Sequence, residues 1–140
     1  WDFVTGVNLK GVFNCLRAEI PRLNDYASIV NAASVAGICG LPKNAPYVAA
    51  KHAVVGLTKA AAHELADRGI RSNCIAPGPI DTPMVRKSAQ TGSGNTVSDR
   101  IPMGRQGHVS EVAALVAWLL SDGSSYITGT VQAIDGGFTC

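Results

Sequence analysis

A tyrosine and a lysine four positions apart, Tyr47 and Lys51, form a pair whose spacing could support proton transfer. Most residues around them are strong helix formers, so both side chains are predicted to share one face of a helix. A free phenol has a pKa of about 10, and a nearby ammonium favours the phenolate. Such a tyrosine can give a proton to a forming alkoxide or take one from an alcohol. The same spacing also occurs by chance on ordinary helices, so the pair alone leaves both interpretations open.

Two further polar residues are candidates for the same chemistry. Ser34 lies in a loop of small residues directly after a predicted buried strand. Its hydroxyl could hydrogen-bond a substrate carbonyl, more strongly as charge develops on the oxygen, although it could also be a simple turn serine. Asn8 lies inside a predicted helix, where an asparagine is unfavourable unless its amide finds a partner. We therefore expect the Asn8 amide to hold a water or to open the helix locally.

The elements that must position these residues alternate between helix and strand. The pattern of apolar residues predicts helices at Trp1–Leu23, Tyr47–Arg68 and Ser110–Leu120, with Ser110 as an N-cap, and strands at Ser28–Ala32, Ile70–Ala76 and Val131–Ile134. This alternation is typical of a parallel α/β sheet with helices on both faces, which binds ligands at the carboxyl edge of its strands.

Two segments between these elements are predicted to be irregular. Pro77-Gly78-Pro79 ends the second strand, because neither a helix nor a central strand tolerates it. The polar segment Met84–Arg105 has the sequence Gly-Ser-Gly-Asn at its middle, and we expect a mobile flap there with weak helix at best. Such a flap could close over a substrate.

Composition excludes several classes of protein. The chain has 140 residues, of which 46% are hydrophobic and 16% are charged, so it is one domain or part of one and is not disordered. Its net charge of +2 is spread without runs of like charge, which argues against nucleic-acid and membrane partners.

The cysteines and the chain's apolar segments point to a cytoplasmic protein. The four cysteines are far apart and form no C-x-x-C pair, and no histidine stands at metal-ligand spacing, so we expect reduced thiols and no metal site. No segment reaches the about 20 apolar residues that a membrane span needs. The first residues carry no basic region of a signal peptide and already look helical, so we expect sequence upstream of Trp1.

Five segments, in this order and at this spacing, resemble successive motifs of the short-chain dehydrogenase/reductase family. They are V-N-L-K-G-V-F (Val7–Phe13), N-A-A-S (Asn31–Ser34), Y-V-A-A-K (Tyr47–Lys51), N-C-I-A-P-G-P-I-D-T (Asn73–Thr82) and I-T-G-T-V-Q-A-I-D-G-G (Ile127–Gly137). The resemblance covers essentially the whole chain. It implies that residues 1–140 are the C-terminal part of a doubly wound parallel-sheet domain, the Rossmann-like α/β fold.

The resemblance also implies a role for each candidate residue. Tyr47 is similar to the catalytic acid/base of the family, and Lys51 to the lysine that makes this phenol more acidic and holds the nicotinamide ribose. Ser34 resembles the hydroxyl that orients the substrate, and Asn8 the asparagine that retains a proton-relay water. The segment expected to lie along the nicotinamide contributes Pro77, Gly78, Ile80 and Thr82.

The family's activity is hydride transfer between a nicotinamide and a carbonyl or alcohol carbon, so the resemblance implies an NAD(P)-dependent enzyme with a small-molecule substrate. Homodimers or homotetramers are expected for the complete protein. The sequence does not contain the family's T-G-x-x-x-G-x-G loop or its N-A-G turn. The choice between NAD and NADP, the direction of reaction and the substrate therefore stay open. The alternative is a truncated, inactive remnant or an interaction module.

Several other residues could do chemistry but are expected not to. The three histidines, His52, His63 and His108, pair with no cysteine or acid at ligand spacing, so we expect structural or surface roles for them. Arg105 is expected to be structural. Phe138 and Cys140 could line a subunit or substrate edge, without a defined mechanism.

Overall fold

The computed structural model describes residues 1–89 and 100–140 and contains one parallel sheet of three strands. The strands are β1 (Ser28–Ala32), β2 (Arg71–Pro77) and β3 (Val131–Ile134), and they lie in the order β1-β2-β3. The predicted bounds of β1 and β3 are confirmed, and β2 is shifted by one residue. Residues 72–76 of β2 are all buried, as expected for the central strand of a parallel sheet.

Five α-helices are described: α1 (Asp2–Thr5), α2 (Gly11–Glu19), α3 (Ala45–Glu64), α4 (Pro83–Ala89) and α5 (Val109–Leu120). The single helix predicted at Trp1–Leu23 is interrupted by a π-helical turn at Gly6–Lys10, which separates α1 from α2. None of the helices in the described ranges is both long and apolar enough to cross a membrane.

Helix α3 is the longest element, and local chemistry explains both its ends. It starts two residues before Tyr47, with Pro46 in its first turn, where the missing N–H of proline costs nothing. After Glu64 a short 3₁₀ turn leads to Gly69, which has a φ of +66°. A Cβ on Gly69 would meet only the ring of the exposed Tyr26, which can move aside, so the positive φ is what requires glycine there.

Helices α3 and α5 cover opposite faces of the sheet. On one face Val54 of α3 packs with Ala33 and Cys74 in a buried cluster. On the other face the carbonyl of Leu119 in α5 accepts hydrogen bonds from Ser28 Oγ at 3.0 Å and from the guanidinium of Arg71 at 2.9 Å. The prediction of a two-sided α/β sheet is therefore confirmed.

The start of helix α5 differs from the prediction. Its N-cap is His108 and not Ser110, and the carboxylate of Glu111 accepts the backbone N–H of His108 at 2.6 Å. The sequence rule favours serine as an N-cap, but here a glutamate three residues after His108 completes a reciprocal capping box. Arg105 also donates two hydrogen bonds to Glu111, both 2.8 Å long, and so has the structural role expected for it.

The expectation of weak helix at best after Met84 is wrong for the first part of that segment. Helix α4 is regular, because Thr82 Oγ1 accepts the N–H of Val85 at 3.4 Å and Arg86 forms two hydrogen bonds to Asp81, at 2.6 and 2.8 Å. The capping hydroxyl and the local ion pair stabilise a helix that the polar composition alone does not predict. Residues 90–99 of the predicted flap lie outside the described residues.

Candidate active site

The loops that follow β1 and β2 open on the same edge of the sheet. Ala32 and Ile75 are paired in parallel register, and the next N–H, that of Ala33, donates to the carbonyl of Ile75 at 2.9 Å. Ser34 follows at the end of β1, and Gly78 follows β2. This is the carboxyl edge, where parallel sheets bind ligands and where the sequence predicted the site.

Ser34 is buried and held in a defined orientation. It caps the 3₁₀ turn Val35–Gly37, and its Oγ accepts the backbone N–H of Ala36 at 3.2 Å. That bond occupies a lone pair of the hydroxyl oxygen, so the single O–H proton remains available for donation to a substrate.

Lys51 and Tyr47 are brought together on one face of α3, as their spacing predicts. Lys51 is buried, its Nζ donates to the carbonyl of Ala32 at 2.9 Å, and Nζ lies 5.6 Å from the centroid of the Tyr47 ring. This distance is within the about 6 Å at which a cation and an aromatic face attract each other. Burial lowers the pKa of the Lys51 ammonium, because the charged form loses hydration.

A second hydrogen bond holds α3 on β1 two helical turns further along. The buried amide of Asn31 donates to Thr58 Oγ1 at 3.0 Å, and that hydroxyl donates to the carbonyl of Val54 at 2.8 Å. Lys51 and Thr58 therefore attach the same face of α3 to neighbouring positions of β1. These two attachments fix the register of the helix against the strand that carries Ser34.

Asn8 lies in the π-helical turn, which packs against α3. Its Nδ2 donates to the carbonyl of Val4 at 3.1 Å, so the amide finds its partner in the widened helix. The predicted local opening of the helix is thus observed. Among the described residues, no hydrogen bond joins Asn8 to Ser34, Tyr47 or Lys51.

The segment after β2 is held in an extended path at the same edge. The N–H of Gly107 donates to the carbonyl of Pro79 at 3.0 Å, and the N–H of Asp81 donates to the carbonyl of Gly107 at 2.9 Å. These bonds form a parallel bridge between Gly107 and Ile80. Because a bridged residue turns its own N–H and C=O away from its partner, those of Ile80 face the other side.

The matches to known proteins cover nearly the whole chain. A family model described as enoyl-(acyl carrier protein) reductase matches residues 1–139. The short-chain dehydrogenase/reductase aba4 of Botryotinia fuckeliana is 48% identical over 147 aligned positions, which cover 100% of this chain and 56% of that protein. The chain belongs to the short-chain dehydrogenase/reductase family. It spans about half the length of the curated relatives it matches.

Two solved structures with bound dinucleotides share this fold. ElxO with NADP bound is 36% identical with a TM-score of 0.85, over 94% of this chain and 54% of that one. 4-Hydroxyisoleucine dehydrogenase complexed with NADH is 33% identical with a TM-score of 0.87, over 96% and 57% of the two chains. The Rossmann-like α/β fold expected from the motifs is confirmed.

The residues of this short-chain dehydrogenase/reductase fit the nicotinamide end of such a cofactor. An ammonium has three donors, and the Ala32 carbonyl uses one of those of Lys51, so others remain for ribose hydroxyls. The outward N–H and C=O of Ile80 and the hydroxyl proton of Thr82, whose oxygen caps α4, could bond a carboxamide. Gly78 lets its backbone pack closely, because a Cβ there would lie 2.7 Å from that of Asp135.

Asp135, the residue after β3, lies close to Gly78 and was not singled out by the sequence analysis. Its carboxylate accepts bonds from Gly137 N at 2.9 Å, Thr139 N at 3.1 Å and Thr139 Oγ1 at 2.6 Å. Burial alone would raise the pKa of Asp135, but these hydrogen bonds outweigh it and lower the pKa. The available signal was an aspartate before two glycines, a pattern typical of a turn.

Asn31 and Thr58 were also missed, although a polar residue inside a predicted buried strand was a visible signal for Asn31.

A cavity of about 300 Å³ lies between the Arg105–Glu111 ion pair and the turn at Asp135. It shares Ile80 with the segment that follows β2, and neither Tyr47 nor Ser34 lines it. The hydrogen bonds at the carboxyl edge, and not this cavity, therefore define the candidate site.

Proposed function

We propose that the complete protein is an NAD(P)-dependent oxidoreductase that transfers a hydride between a nicotinamide and a carbonyl or alcohol carbon. The observation that carries the proposal is the buried ammonium of Lys51, 5.6 Å from the Tyr47 ring centroid and bonded to the strand that leads to Ser34. The relatives bound to NADP and to NADH support a nicotinamide cofactor without favouring either.

Tyr47 handles the proton in this proposal. The nicotinamide, when bound, supplies or accepts the hydride. In carbonyl reduction the substrate oxygen takes a proton from the Tyr47 hydroxyl as negative charge develops on it, and in alcohol oxidation the phenolate takes the proton back. The Lys51 ammonium stabilises the phenolate because opposite charges attract strongly at a buried site.

Ser34 and Asn8 have supporting roles. The hydroxyl proton of Ser34 is free to point at the substrate oxygen, since its oxygen already accepts the N–H of Ala36, and the bond strengthens as the oxygen becomes negative. Asn8, in the opened turn against α3, retains a water that returns protons to the site. The substrate is a small carbonyl or alcohol compound, and a cytoplasmic location stays a prediction from the sequence.

The test is Tyr47→Phe in the complete protein, assayed by nicotinamide absorbance against a panel of ketones and alcohols. Turnover is expected to fall by at least about a hundred-fold, as for a lost general acid, while the Kd of the dinucleotide stays nearly unchanged. Tyr126→Phe is the matched control, because Tyr126 is fully exposed and precedes β3, at the opposite edge of the sheet.

Near wild-type turnover of Tyr47→Phe would exclude the acid/base role. A wild-type complete protein that binds neither NAD(H) nor NADP(H) would exclude the enzymatic function altogether and favour an inactive remnant or interaction module.

A further inference from the structure

We infer that Gly37 is a positioning residue, whose missing side chain sets the distance between the Ser34 hydroxyl and the Tyr47/Lys51 pair. This inference rests on the proposed function. An added Cβ at Gly37 would lie 2.8 Å from the backbone oxygen of Lys51 and 3.0 Å from its carbonyl carbon. The turn that carries Ser34 is therefore in direct contact with the backbone of α3 at Lys51.

The glycine is required here by space and not by conformation. Gly37 ends the 3₁₀ turn Val35–Gly37 and is not among the described glycines with positive φ. Its N–H donates to the carbonyl of Ser34 at 2.8 Å, a bond that any residue could make. Hence only the close approach to Lys51 distinguishes this position from an ordinary turn residue.

Neither side of the contact can retreat easily. Val35 and Ala36 of the turn are buried at 5% and 0% exposure, and Ala50 and Val54 on the facing part of α3 are both 0% exposed. The attachments of Lys51 to Ala32 and of Asn31 to Thr58 hold α3 on β1. Well-packed interiors transmit such a strain instead of absorbing it.

A methyl group at position 37 is expected to displace the turn by several tenths of an ångström, because the clashing atoms belong to the helix backbone. The Ser34 hydroxyl moves with the turn, since Ala36 N and Gly37 N bond to Ser34 Oγ and O. We expect the turn and not α3 to give way, because the bonds of Lys51 to Ala32 and of Asn31 to Thr58 hold the helix, so Lys51 and the Pro77–Thr82 segment should keep their places. The substitution should therefore disturb the orientation of the substrate and leave cofactor binding intact.

The experiment compares Gly37→Ala with Gly40→Ala in the complete protein. Gly40 lies in the same loop, and an added Cβ there meets nothing within 4 Å. Gly37→Ala should lower kcat/KM for the carbonyl substrate by about ten-fold, a fraction of what a 1 Å misplacement can cost, while the Kd of the dinucleotide changes by less than about two-fold. Gly40→Ala should match the wild type.

A double-mutant cycle with Ser34→Ala separates positioning from a general structural effect. If Gly37 acts through Ser34, Gly37→Ala should lower kcat/KM by less than about two-fold once the Ser34 hydroxyl is gone. Equal losses in both backgrounds would overturn the inference. An unchanged kcat/KM in Gly37→Ala, or loss of its cooperative thermal transition, would overturn it too, the latter because the contact would then be a requirement of the fold.

Failure of this inference is distinguishable from failure of the proposed function. The proposed function fails if Tyr47→Phe retains turnover or if the wild type binds no dinucleotide. The inference fails on the Gly37 cycle alone, in a protein whose Tyr47→Phe and Ser34→Ala variants have lowered but still measurable kcat/KM.

Discussion

At the residue scale, the ammonium of Lys51 lies where burial opposes its charge. Its pKa is lowered in the folded protein, so the folded state holds this proton less tightly than the unfolded chain does. At pH values below the pKa that Lys51 has in the folded protein, the full cost of burying its charge opposes folding. That cost falls as the pH rises through this pKa, because the buried lysine then loses its proton. At neutral pH the buried charge of Lys51 therefore lowers the stability of the fold, a cost that its proposed role in the site would explain.

We predict that Lys51→Met weakens both dinucleotide binding and turnover and moves the pH profile of alcohol oxidation to higher pH. The shift has this sign because the lost ammonium no longer favours the phenolate. Stability should fall by no more than about 1 kcal/mol, the net value of one hydrogen bond, because the methionine stem fills the same space and the buried charge is gone. Rate profiles against pH and chemical denaturation measure the two effects.

Lys59→Met is the control for this prediction, because Lys59 lies on the same helix with an exposed side chain. An unshifted pH profile with normal dinucleotide binding in Lys51→Met would assign Lys51 to the structure and not to the site.

Sequence reasoning could propose those candidate residues whose side chains could do chemistry, and their roles stay predictions. Tyr47 and Lys51 follow from a helical spacing, and Ser34 from its place after a buried strand. The backbone acceptor at Ala32 and the close approach at Gly37 could not be predicted in the same way. A carbonyl leaves no trace in residue type, and a contact between a turn and a helix depends on tertiary packing.

At the scale of elements, the strands were predictable because apolar runs and turn residues bound them locally. Helix ends and interruptions were less so. The π-helical turn at Gly6–Lys10 interrupts a continuous apolar pattern, and the start of α5 is decided by Glu111, which bonds both His108 and Arg105. The spacing of apolar residues predicts which face of a helix is buried. It does not predict which side chain forms hydrogen bonds with the free backbone groups at the end of the helix.

Glu111 makes the stability of this region depend on pH. Two kinds of hydrogen bond lower the pKa of Glu111 from 4.5 to about 2. The bonds from the Arg105 guanidinium have the larger effect, and the bond from the backbone N–H of His108 adds to it. Its contribution is therefore fully present above the ordinary value of 4.5 and is lost as the pH falls through about 2. We predict that Glu111→Gln lowers the Tm of the complete protein at neutral pH, and that its difference from wild type shrinks as the pH falls from 5 towards 2, about the folded pKa.

Thermal unfolding at a series of pH values measures this difference. Glu64→Gln, at the exposed end of α3, is the control and should show no comparable dependence. A Glu111→Gln difference that stays constant over the acid range would mean that the carboxylate's charge contributes nothing to the cap.

At the scale of the whole molecule, the first helical segment exposes apolar side chains. Trp1, Phe3 and Val7 are 70%, 84% and 58% exposed, beyond what packing on α3 covers. Surfaces of this kind mark contacts with another protein surface. We predict that the complete protein is a homodimer or homotetramer, and light scattering at micromolar concentration tests it. A strict monomer under those conditions would contradict the prediction.

The sheet of this chain also has an open side. Within residues 1–89 and 100–140, β1 pairs with β2 on one side and with no strand on the other. Both faces of the sheet are only partly covered, since Ala32 and Ala133 are exposed and their register places them on opposite faces. An unpaired strand with apolar residues is a template for aggregation.

The last prediction concerns these 140 residues expressed by themselves. Leaving this much apolar surface in water is expected to outweigh the about 5–15 kcal/mol that normally separates folded from unfolded domains. The isolated chain should therefore be insoluble or molten, and it should bind neither NAD(H) nor NADP(H), although Ser34, Tyr47 and Lys51 are all present. Circular dichroism during heating and calorimetric titration with each dinucleotide provide the measurement. A cooperative thermal transition together with micromolar dinucleotide binding would overturn the prediction, and would mean that this half of the sheet folds alone and carries a phosphate site of its own.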